Sequence, residues 1–414
     1  MPLDEIKQAR LEKLKKIEDP YPTHTSRTHT IAQADGEDVL ILVGRVMAMR
    51  GHGAITFMDL RDGTGSIQLF LEGEKNLIDI GDFIEAEGKL FITKAGEKTL
   101  RVSSWKMLAK SLLPLPEKWH GLQDVEERYR KRYLDLLMNP ETKAIFEQRA
   151  LIIQKMRTFL LEHHFVEVQT PTLQPLYGGA SARPFKTHMN ALDMDLFLRI
   201  APELYLKRLL VGGFERVFEF TTNFRNEGMD REHNPEFSAV EFYIAYKDYE
   251  WGMDFIEDLL CTIAPEKFKK PFKRIRYAEL MQPYNSLEDE VFKEKVRHTL
   301  IQPTFVYDYP KDMFPLAKDV FQFYAGGFEL VKAFSELNDP IDQRERFAAQ
   351  ENLRAKGDEE AQRMDEDFIE ALEYGMPPAA GFGIGLDRLI AYLTDSHSIR
   401  EVILFPLMKR KKDE

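Results

Sequence analysis

Short apolar runs separated by polar turns dominate the first quarter of the chain. Breaks that contain glycine divide residues 39–108 into five strand-like segments. These segments are Val39–Met47, Ile55–Leu60, Ser66–Leu71, Asp82–Ile92 and Thr99–Leu108. Five short strands within ~70 residues are typical of an OB-type β-barrel, a fold that commonly binds oligonucleotides. The pattern therefore predicts a barrel domain over residues 38–112.

Two longer apolar strands are predicted further along the chain, at Arg216–Phe224 and Phe237–Tyr246. The charged loop between them carries Gly228, Asn234 and Pro235, which are common turn residues. The two segments therefore indicate a pair of antiparallel strands.

The second of these strands has an unusual face. Because side chains alternate along a strand, Phe237, Ala239, Glu241 and Tyr243 share one side of it. A core strand does not normally point a glutamate inward without a partner. The pattern therefore indicates a binding surface at this face.

A long helix is predicted after Asn139-Pro140-Glu141, which combines a capping residue, a first-turn proline and a first-turn acid. Apolar residues then recur at helical spacing. They are Ile145, Ile152, Ile153, Met156, Phe159 and Leu160. A strand near Phe165–Gln169 leads into Thr170-Pro171.

Composition narrows the function classes. The 414 residues are 43% apolar and 30% charged, which suits a globular protein of two to three domains. A net charge of −12 argues against a generally basic nucleic-acid binder, although local basic patches can still hold a nucleic acid. A single cysteine, Cys261, excludes an intrachain disulfide and a multi-cysteine zinc site. No apolar run approaches the ~18 residues of a membrane span, so we expect a cytoplasmic protein.

Several motifs carry a family resemblance. FRNEG at 224–228 and HNPEF at 233–237 closely resemble the second signature of the class II aminoacyl-tRNA synthetases. GFGIGLDRLI at Gly381–Ile390 resembles the third signature. GGASARPF, RIAPELYLKR and FSELNDP are specifically similar to the lysyl-tRNA synthetases, and the likeness extends over nearly the whole chain.

The resemblance implies an α+β organisation. An N-terminal helical extension (1–37) precedes the OB-fold domain (38–112), and a linker (113–138) leads to the catalytic domain (139–414). That domain would hold an antiparallel sheet flanked by helices, with a shortened insertion at 265–300. In the family, the helix, strand and proline after residue 139 form the interface of a homodimer.

The resemblance also implies a reaction. ATP and L-lysine would form lysyl-adenylate with Arg225 and Arg388 as catalytic residues, and the lysyl group would pass to the 3′ end of tRNA(Lys). Three glycines, Gly381, Gly383 and Gly385, alternate along one strand and leave a face on which a nucleoside can lie. The implied ATP-binding residues are Arg225, Glu227, His233, Asn234, Phe237, Glu329, Gly383, Gly385 and Arg388.

Selection of lysine requires carboxylates deep in the pocket. Glu241 and Glu336 are the implied pair for the ε-ammonium, with Tyr243 as a hydrogen-bonding neighbour. Glu203 lies in an apolar helical setting, where the α-ammonium of the substrate would balance its charge. The full implied set is Gly179, Glu203, Arg225, Glu241, Tyr243, Lys332, Phe334 and Glu336.

The barrel domain matches the anticodon-reading positions of the family. Phe57 would stack a base while Arg50 and Gln68 bind its edge, and Glu97 would make a further contact. The strand pattern alone leaves two alternatives open for Phe57, a stacking residue or an ordinary core residue. The resemblance favours stacking.

Magnesium is the implied metal, with Gln322 and Glu329 as its ligands. The sequence departs from the family here. Gln322 replaces a usual glutamate, Lys332 replaces a usual asparagine and Phe328 replaces a usual arginine. One acidic ligand fewer predicts an active enzyme that needs more magnesium than a relative with two glutamates.

Two alternatives remain at this point. One is a lysine-activating paralogue that modifies a protein, but such ligases lack the OB domain that this chain retains. The other is an inactive tRNA-binding regulatory protein, which only Gln322 and Lys332 support. Exchange of pyrophosphate with ATP in the presence of lysine, with and without tRNA, would distinguish them.

Overall fold

A computed structural model describes residues 2–52, 55–73, 76–116, 122–310 and 313–410. The chain divides into two compact units, Met1–Gln123 and Asp124–Glu414. The division lies inside the predicted linker 113–138, of which residues 117–121 lie outside the described residues. No helix in the described part of the chain is long and apolar enough to cross a membrane.

The first unit is a closed five-stranded barrel preceded by helix α1 (Leu3–Leu14). Its strands follow the order β1-β2-β3-β5-β4 around the barrel. Their bounds are β1 Val39–His52, β2 Ile55–Arg61, β3 Ser66–Glu72, β4 Phe83–Ile92 and β5 Lys98–Ala109. The barrel predicted from the apolar pattern is confirmed, and β1 extends further than the apolar run Val39–Met47 indicated.

The second unit is built on an eight-stranded sheet in the order β12-β13-β14-β15-β16-β11-β10-β6. The pairs β6–β10 and β12–β13 are parallel, and the remaining pairs are antiparallel. The strands are β6 Val166–Glu167, β10 Arg216–Phe224, β11 Glu236–Ala245, β12 Lys273–Arg276, β13 Thr304–Tyr307, β14 Ala317–Ala325, β15 Phe328–Glu336 and β16 Ala379–Gly385.

A smaller sheet and ten α-helices, with a few short 3-10 and π turns, complete this unit among the described residues. The smaller sheet has the order β7-β9-β8, with β7 Leu173–Gln174, β8 Lys186–Met189 and β9 Met194–Leu198. The helices are α2 Val125–Arg130, α3 Arg132–Met138, α4 Pro140–Glu162, α5 Glu203–Val211, α6 Tyr249–Ile263, α7 Tyr277–Met281, α8 Asp289–Val291, α9 Pro340–Ala355, α10 Glu366–Glu373 and α11 Leu386–Leu393.

The two faces of the large sheet differ because side chains alternate along each strand. One face carries Phe242, Phe323 and Phe382, which pack with apolar residues of α4, α6 and α11 in the main core. The opposite face carries Glu241 and the three glycines of β16, and it lines a cavity. The alternation therefore separates core from site within the same strands.

The predicted apolar face of α4 packs inside the chain. Ile152, Met156, Phe159 and Leu160 are buried in the main core. Leu151 and Leu161 on the same helix are exposed instead. The regularly spaced apolar residues of α4 therefore pack into the core of the same chain. The exposed residues Leu151 and Leu161 form a further apolar surface on another side of the helix.

Candidate active site

A cavity of about 540 Å³ lies against the glycine-containing face of the large sheet. It brings together residues from β10, β11, β15, β16, α5 and α11 that are far apart in sequence. Of the predicted ATP-binding and lysine-binding residues, all except Glu336 line it: Gly179, Glu203, Arg225, Glu227, His233, Asn234, Phe237, Glu241, Tyr243, Glu329, Lys332, Phe334, Gly383, Gly385 and Arg388.

Arg225 and Phe237 stand at the open ends of β10 and β11. The guanidinium carbon of Arg225 lies 5.0 Å from the centre of the Phe237 ring. The backbone N–H of Arg225 donates to the carbonyl of Pro235 at 2.8 Å, which closes the loop between the strands. The buried Nε of Arg225 has no hydrogen-bond partner among the described residues, so an anionic ligand is a suitable partner for it.

Arg388 lies on α11, immediately after the glycine strand. Its Nε donates to the carbonyl of Glu232 at 3.2 Å, and its Nη2 lies 3.1 Å from Nε2 of His233. Nδ1 of His233 lies 2.8 Å from a carboxylate oxygen of Asp230. These contacts fix a guanidinium and an imidazole beside each other at the same end of the cavity.

The other end of the cavity is acidic. Glu241 on β11 and Tyr243 two residues later share a face, and the two side chains are hydrogen-bonded to each other. Asn223 on β10 also forms a hydrogen bond with Glu241, and it was not predicted from the sequence. Burial, reinforced by the charge of Glu203, raises the pKa of Glu241 to about 8.

Glu336 lies beneath this acidic end, next to Gly381 of β16, which has no side chain. A β-carbon at Gly381 would lie 2.0 Å from Oε1 of Glu336 and 2.4 Å from Cε1 of Tyr243. Real β-carbons do not approach other atoms so closely, so a glycine is required at this point of the strand. Gly383 has no such contact, because its β-carbon would lie 3.9 Å from the nearest atoms.

Lys207 holds two of the predicted lysine-binding carboxylates together. Its fully buried ammonium lies 2.7 Å from Oε1 of Glu203 and 2.5 Å from Oε2 of Glu336. Burial raises the pKa of Glu336, and Lys207 opposes that shift. Lys207 was not predicted, although its position four residues after Glu203 on an apolar helix is a spacing at which such pairs form.

Gly179 borders the amino-acid end of the cavity in a left-handed backbone conformation, with φ of +87°. A β-carbon here would lie 2.9 Å from Cβ of Glu203. The loop therefore approaches α5 closely at the point where Glu203 faces the cavity. This contact places Gly179 beside the carboxylate predicted to bind the α-ammonium.

The two predicted magnesium ligands, Glu329 and Gln322, lie in different environments. Glu329 lines the cavity, whereas Gln322 is buried outside its lining. The amide oxygen of Gln322 accepts hydrogen bonds from Tyr309 at 2.7 Å and Tyr324 at 2.5 Å. The predicted role of Gln322 as a magnesium ligand therefore has no support in this geometry, because its oxygen already has two donors.

The described residues provide only some of the ligands that a metal ion requires. They contain no group of three or more His, Cys, Asp or Glu side chains arranged to hold a metal ion. Magnesium commonly binds through one or two carboxylates together with phosphates and water. Glu329 fits that pattern as a single protein ligand to a magnesium ion that arrives with a nucleotide.

Three of the predicted anticodon residues, Arg50, Phe57 and Glu97, are at least partly exposed on the barrel, whereas Gln68 is buried and its amide nitrogen donates to Thr99 at 2.9 Å. Thr56 and Met58, the two neighbours of Phe57 on β2, are buried, and Met58 belongs to the barrel core. Because side chains alternate along a strand, Phe57 faces outward, and it is half-buried. Its ring centre lies 5.4 Å from that of Phe70. Arg50 donates to Asp59 at 2.9 Å and to the oxygen of Gln68 at 3.4 Å. The core alternative for Phe57 is therefore wrong.

Further aromatic and basic residues extend this outer patch. The Phe70 and Phe91 ring centres are 5.8 Å apart, and the guanidinium carbon of Arg101 lies 5.1 Å from the Phe91 ring. Glu97 is exposed at the turn between β4 and β5. Aromatic rings packed edge to face beside arginines form a surface of the kind that binds single-stranded nucleic acid.

Comparison with known proteins agrees with both units. A family model described as tRNA synthetases class II (D, K and N) matches residues 124–409. A second, described as an OB-fold nucleic acid binding domain, matches residues 40–108.

Individual relatives are similar along their full length. The chain is 47% identical to a lysine–tRNA ligase of Carboxydothermus hydrogenoformans, over 98% of each protein. It is 46% identical to one of Pelotomaculum thermopropionicum, over 99% of this chain and 96% of the relative. An Aquifex aeolicus lysine–tRNA ligase is 47% identical over 90% of this chain and 73% of the relative.

Proposed function

Because this chain belongs to the class II aminoacyl-tRNA synthetases, among the lysine–tRNA ligases, we propose how its residues carry out the ligase reaction. The chain activates L-lysine with ATP to form lysyl-adenylate and pyrophosphate. It then transfers the lysyl group to the 3′ end of tRNA(Lys) and releases AMP. The roles of individual residues below are part of this proposal.

The observation that carries the proposal is the separation of charge within one cavity. Glu203 and Glu241 line one end, with Glu336 buried just behind the wall at Gly381, where they suit the two ammonium groups of lysine. Arg225 and Arg388 stand at the other end, where they suit phosphates. An aspartate- or asparagine-activating site would require cations where these carboxylates stand.

We place lysine along the face formed by β11, β15 and β16. Its ε-ammonium lies between Glu241, Tyr243 and Glu336, and its aliphatic stem packs on Phe334. Its α-ammonium lies at Glu203 beside Gly179. Its carboxylate then points towards Arg225 and Lys332.

We place the adenine ring of ATP on Phe237, with Glu227 and Asn234 at its polar edge. The ribose lies over Gly383 and Gly385, where the strand leaves space. His233 and Arg388 bind the outer phosphates. Arg225 bridges the substrate carboxylate and the α-phosphate, which aligns the reacting groups and stabilises the charge of a pentavalent phosphorus.

Magnesium enters this proposal as the partner of ATP. Glu329 would hold it together with the phosphates, and its contribution when bound is to neutralise phosphate charge. Gln322 remains outside this role because of its two tyrosine donors.

The outer patch of the barrel is proposed to bind the anticodon loop of tRNA(Lys). Phe57 stacks a base, Arg50 and Gln68 bind its edge, and Glu97 contacts the loop. Support comes from the outward position of Phe57 and from the neighbouring Phe70 and Arg101.

The proposed assembly is a cytoplasmic homodimer. Leu151 and Leu161 on α4 and Val166 on β6 are exposed apolar residues on neighbouring elements. The strand β6 is also at the edge of the large sheet. Such a surface suits a second copy of the chain. Light scattering at micromolar concentration would show a dimer, and a monomer would contradict this part.

The test is a paired assay on the purified full chain. Lysine-dependent exchange of pyrophosphate with ATP should proceed without tRNA, and [14C]lysine should appear on tRNA(Lys) when tRNA is added. Exchange without tRNA charging, combined with labelling of a protein, would favour the protein-modifying alternative. Absence of exchange would contradict the proposed reaction.

A further inference from the structure

Lys332 is a cation on the cavity wall that has no ion-pair partner among the described residues. Its ammonium nitrogen lies 4.4 Å from the centre of the Phe314 ring and 5.7 Å from that of Phe334. It forms no hydrogen bond or ion pair with any residue in the part of the chain that the structure describes. Aromatic faces stabilise an ammonium only modestly, so an anionic ligand would improve its environment.

The residue opposite Lys332 cannot supply that anion. Gln322 on β14 is the cross-strand partner of Lys332 on β15, so the two side chains share the cavity side of the sheet. The amide of Gln322 is neutral, and its oxygen is held by Tyr309 and Tyr324. Residue 322 on β14 therefore presents Lys332 with no carboxylate and with no oxygen that is available to a metal ion.

The charges around Lys332 define what can bind beside it. Burial lowers the pKa of Lys332, the charge of Glu329 raises it and the charge of Arg225 lowers it again. Glu203 and Asp289 are the other acidic groups that act on it. Lys332 and Arg225 are thus two cations on one cavity, and an anion between them would relieve their mutual repulsion.

A cation cannot bind either ammonium group of lysine. The substrates offer two kinds of anionic oxygen at this place, the carboxylate of lysine and the phosphates of ATP. Both belong to the same reacting centre in the transition state, in which the carboxylate attacks the α-phosphate and pyrophosphate leaves. A second protein cation beside Arg225 would stabilise that centre in the same manner as a bound metal ion.

We propose that Lys332 binds the anionic oxygens of the reacting centre beside Arg225, and so supplies positive charge that a metal ion held at position 322 would otherwise supply. This inference rests on the lysine–tRNA ligase reaction proposed above. Lys332 is then a catalytic residue that remains an ammonium throughout, and no bond to it forms or breaks. The enzyme should consequently depend less on magnesium than the loss of an acidic ligand at residue 322 implies.

The first test measures binding without turnover. Lys332→Met removes the charge, Lys332→Arg retains it, and Lys318→Met is the control because Lys318 is an exposed lysine on β14 bonded to Asn338. Equilibrium dialysis gives the affinity for ATP in EDTA and the affinity for lysine. Lys332→Met should weaken at least one of them by about tenfold or more, the scale of one charge-assisted contact.

The two possible anions give different results in this assay. Loss of ATP affinity in EDTA identifies the phosphates. Loss of affinity for lysine but not for cadaverine, which lacks the carboxylate, identifies the carboxylate. If Lys332→Met binds both substrates as the wild type does while its circular dichroism spectrum is unchanged, Lys332 is only a partner of Phe314 and the inference is overturned.

The second test uses the cross-strand partner. Gln322→Glu places a carboxylate opposite Lys332, and an ion pair between them should withdraw the ammonium from the substrate. Metal-free ATP or lysine binding should weaken as in Lys332→Met, and more magnesium should be required for half-maximal exchange. A lower magnesium requirement would show that residue 322 is a metal ligand and would contradict the inference.

Failure of the inference can be told apart from failure of the ligase proposal. Wild-type exchange with lysine supports the ligase reaction whatever the variants do. If the wild type exchanges normally and the Lys332 and Gln322 variants behave like Lys318→Met, only the role of Lys332 is lost. If the wild type shows no lysine-dependent exchange, the ligase proposal itself fails.

Discussion

The acidic end of the cavity has an internal counter-ion, whereas the cationic end has none among the described residues. Glu203 and Glu336 share the internal ammonium of Lys207, and Glu241 is hydrogen-bonded to Asn223 and Tyr243. At the cationic end, Arg225, Lys332 and Arg388 form no ion pair with any described residue. The two ends therefore recognise ligands in different ways.

The difference has a physical consequence for each substrate. At the acidic end, three carboxylates face one internal ammonium, so two further positive charges complete the balance, as lysine provides. At the cationic end, the balance depends on the anions of the substrates. Amino-acid selection is then fixed within the folded chain, and activation requires that carboxylate and phosphates arrive together.

The largest expected effect comes from neutralising the acidic end. Glu241→Gln keeps the shape of the side chain and removes its charge, so the ε-ammonium of lysine loses a buried partner. Breaking such a pair typically costs ~3–5 kcal/mol. The KM for lysine should rise far more than the KM for ATP in the exchange assay.

A matched control separates charge from strand stability in that experiment. Glu236→Gln changes an exposed glutamate on the same strand and should leave both KM values near those of the wild type. Equal increases of both KM values in Glu241→Gln would mean that Glu241 supports the sheet rather than the pocket.

Removing the internal cation should destabilise the fold itself. Lys207→Met leaves two buried carboxylates without their counter-ion, and the free energy of unfolding should fall by ~3 kcal/mol or more. Urea denaturation measures this loss. Because unpaired buried carboxyls take up protons in the folded state, the loss should be larger at pH 8.5 than at pH 6. A pH-independent loss would indicate a packing defect instead.

Removing a ring from the barrel should affect tRNA alone. Phe57→Ala deletes a stacking surface worth ~1–3 kcal/mol per base, so lysylation of tRNA should weaken while tRNA-free exchange stays near wild type. Phe83→Ala removes a ring from another part of the same barrel and serves as the control. Equal loss of both activities in Phe57→Ala would show that Phe57 supports the fold and does not bind a base of tRNA.

The smallest effect concerns pH. Burial raises the pKa of Glu241 to about 8, and the charged form is the one that binds an ammonium. Lysine affinity should therefore increase as pH rises from 7 to about 8.5, by at most about tenfold, with protons released on binding. Calorimetry in buffers of different ionisation enthalpy measures that release. The same profile in Glu241→Gln would assign the titration to another group.

Sequence patterns predicted the elements and most of the cavity, since motifs and strand alternation act locally. Phe237, Glu241 and Tyr243 face the cavity together, as their spacing on one strand predicted. The environment of Gln322 could not be predicted in this way. Its tyrosine partners are Tyr324 on its own strand and Tyr309 beyond the end of β13. Only tertiary packing reveals that its oxygen is occupied.

For Lys207 and helix α4, the sequence indicated that a partner was needed but did not identify that partner. The spacing of Glu203 and Lys207 indicates an ion pair, but not that Glu336 joins it from β15. The apolar spacing of α4 predicted a buried face, but the partner of that face is the core of the same chain. Local patterns identify which residues need a partner, and the fold determines which partner they have.

The central claim, that carboxylates at one end of the cavity select an ammonium, can be tested with amino-acid analogues. Pyrophosphate exchange is measured with lysine and with norleucine, which has the same stem but no ε-ammonium. The account predicts exchange with lysine and little or none with norleucine at equal concentration. Comparable exchange with norleucine, or with aspartate, would contradict it.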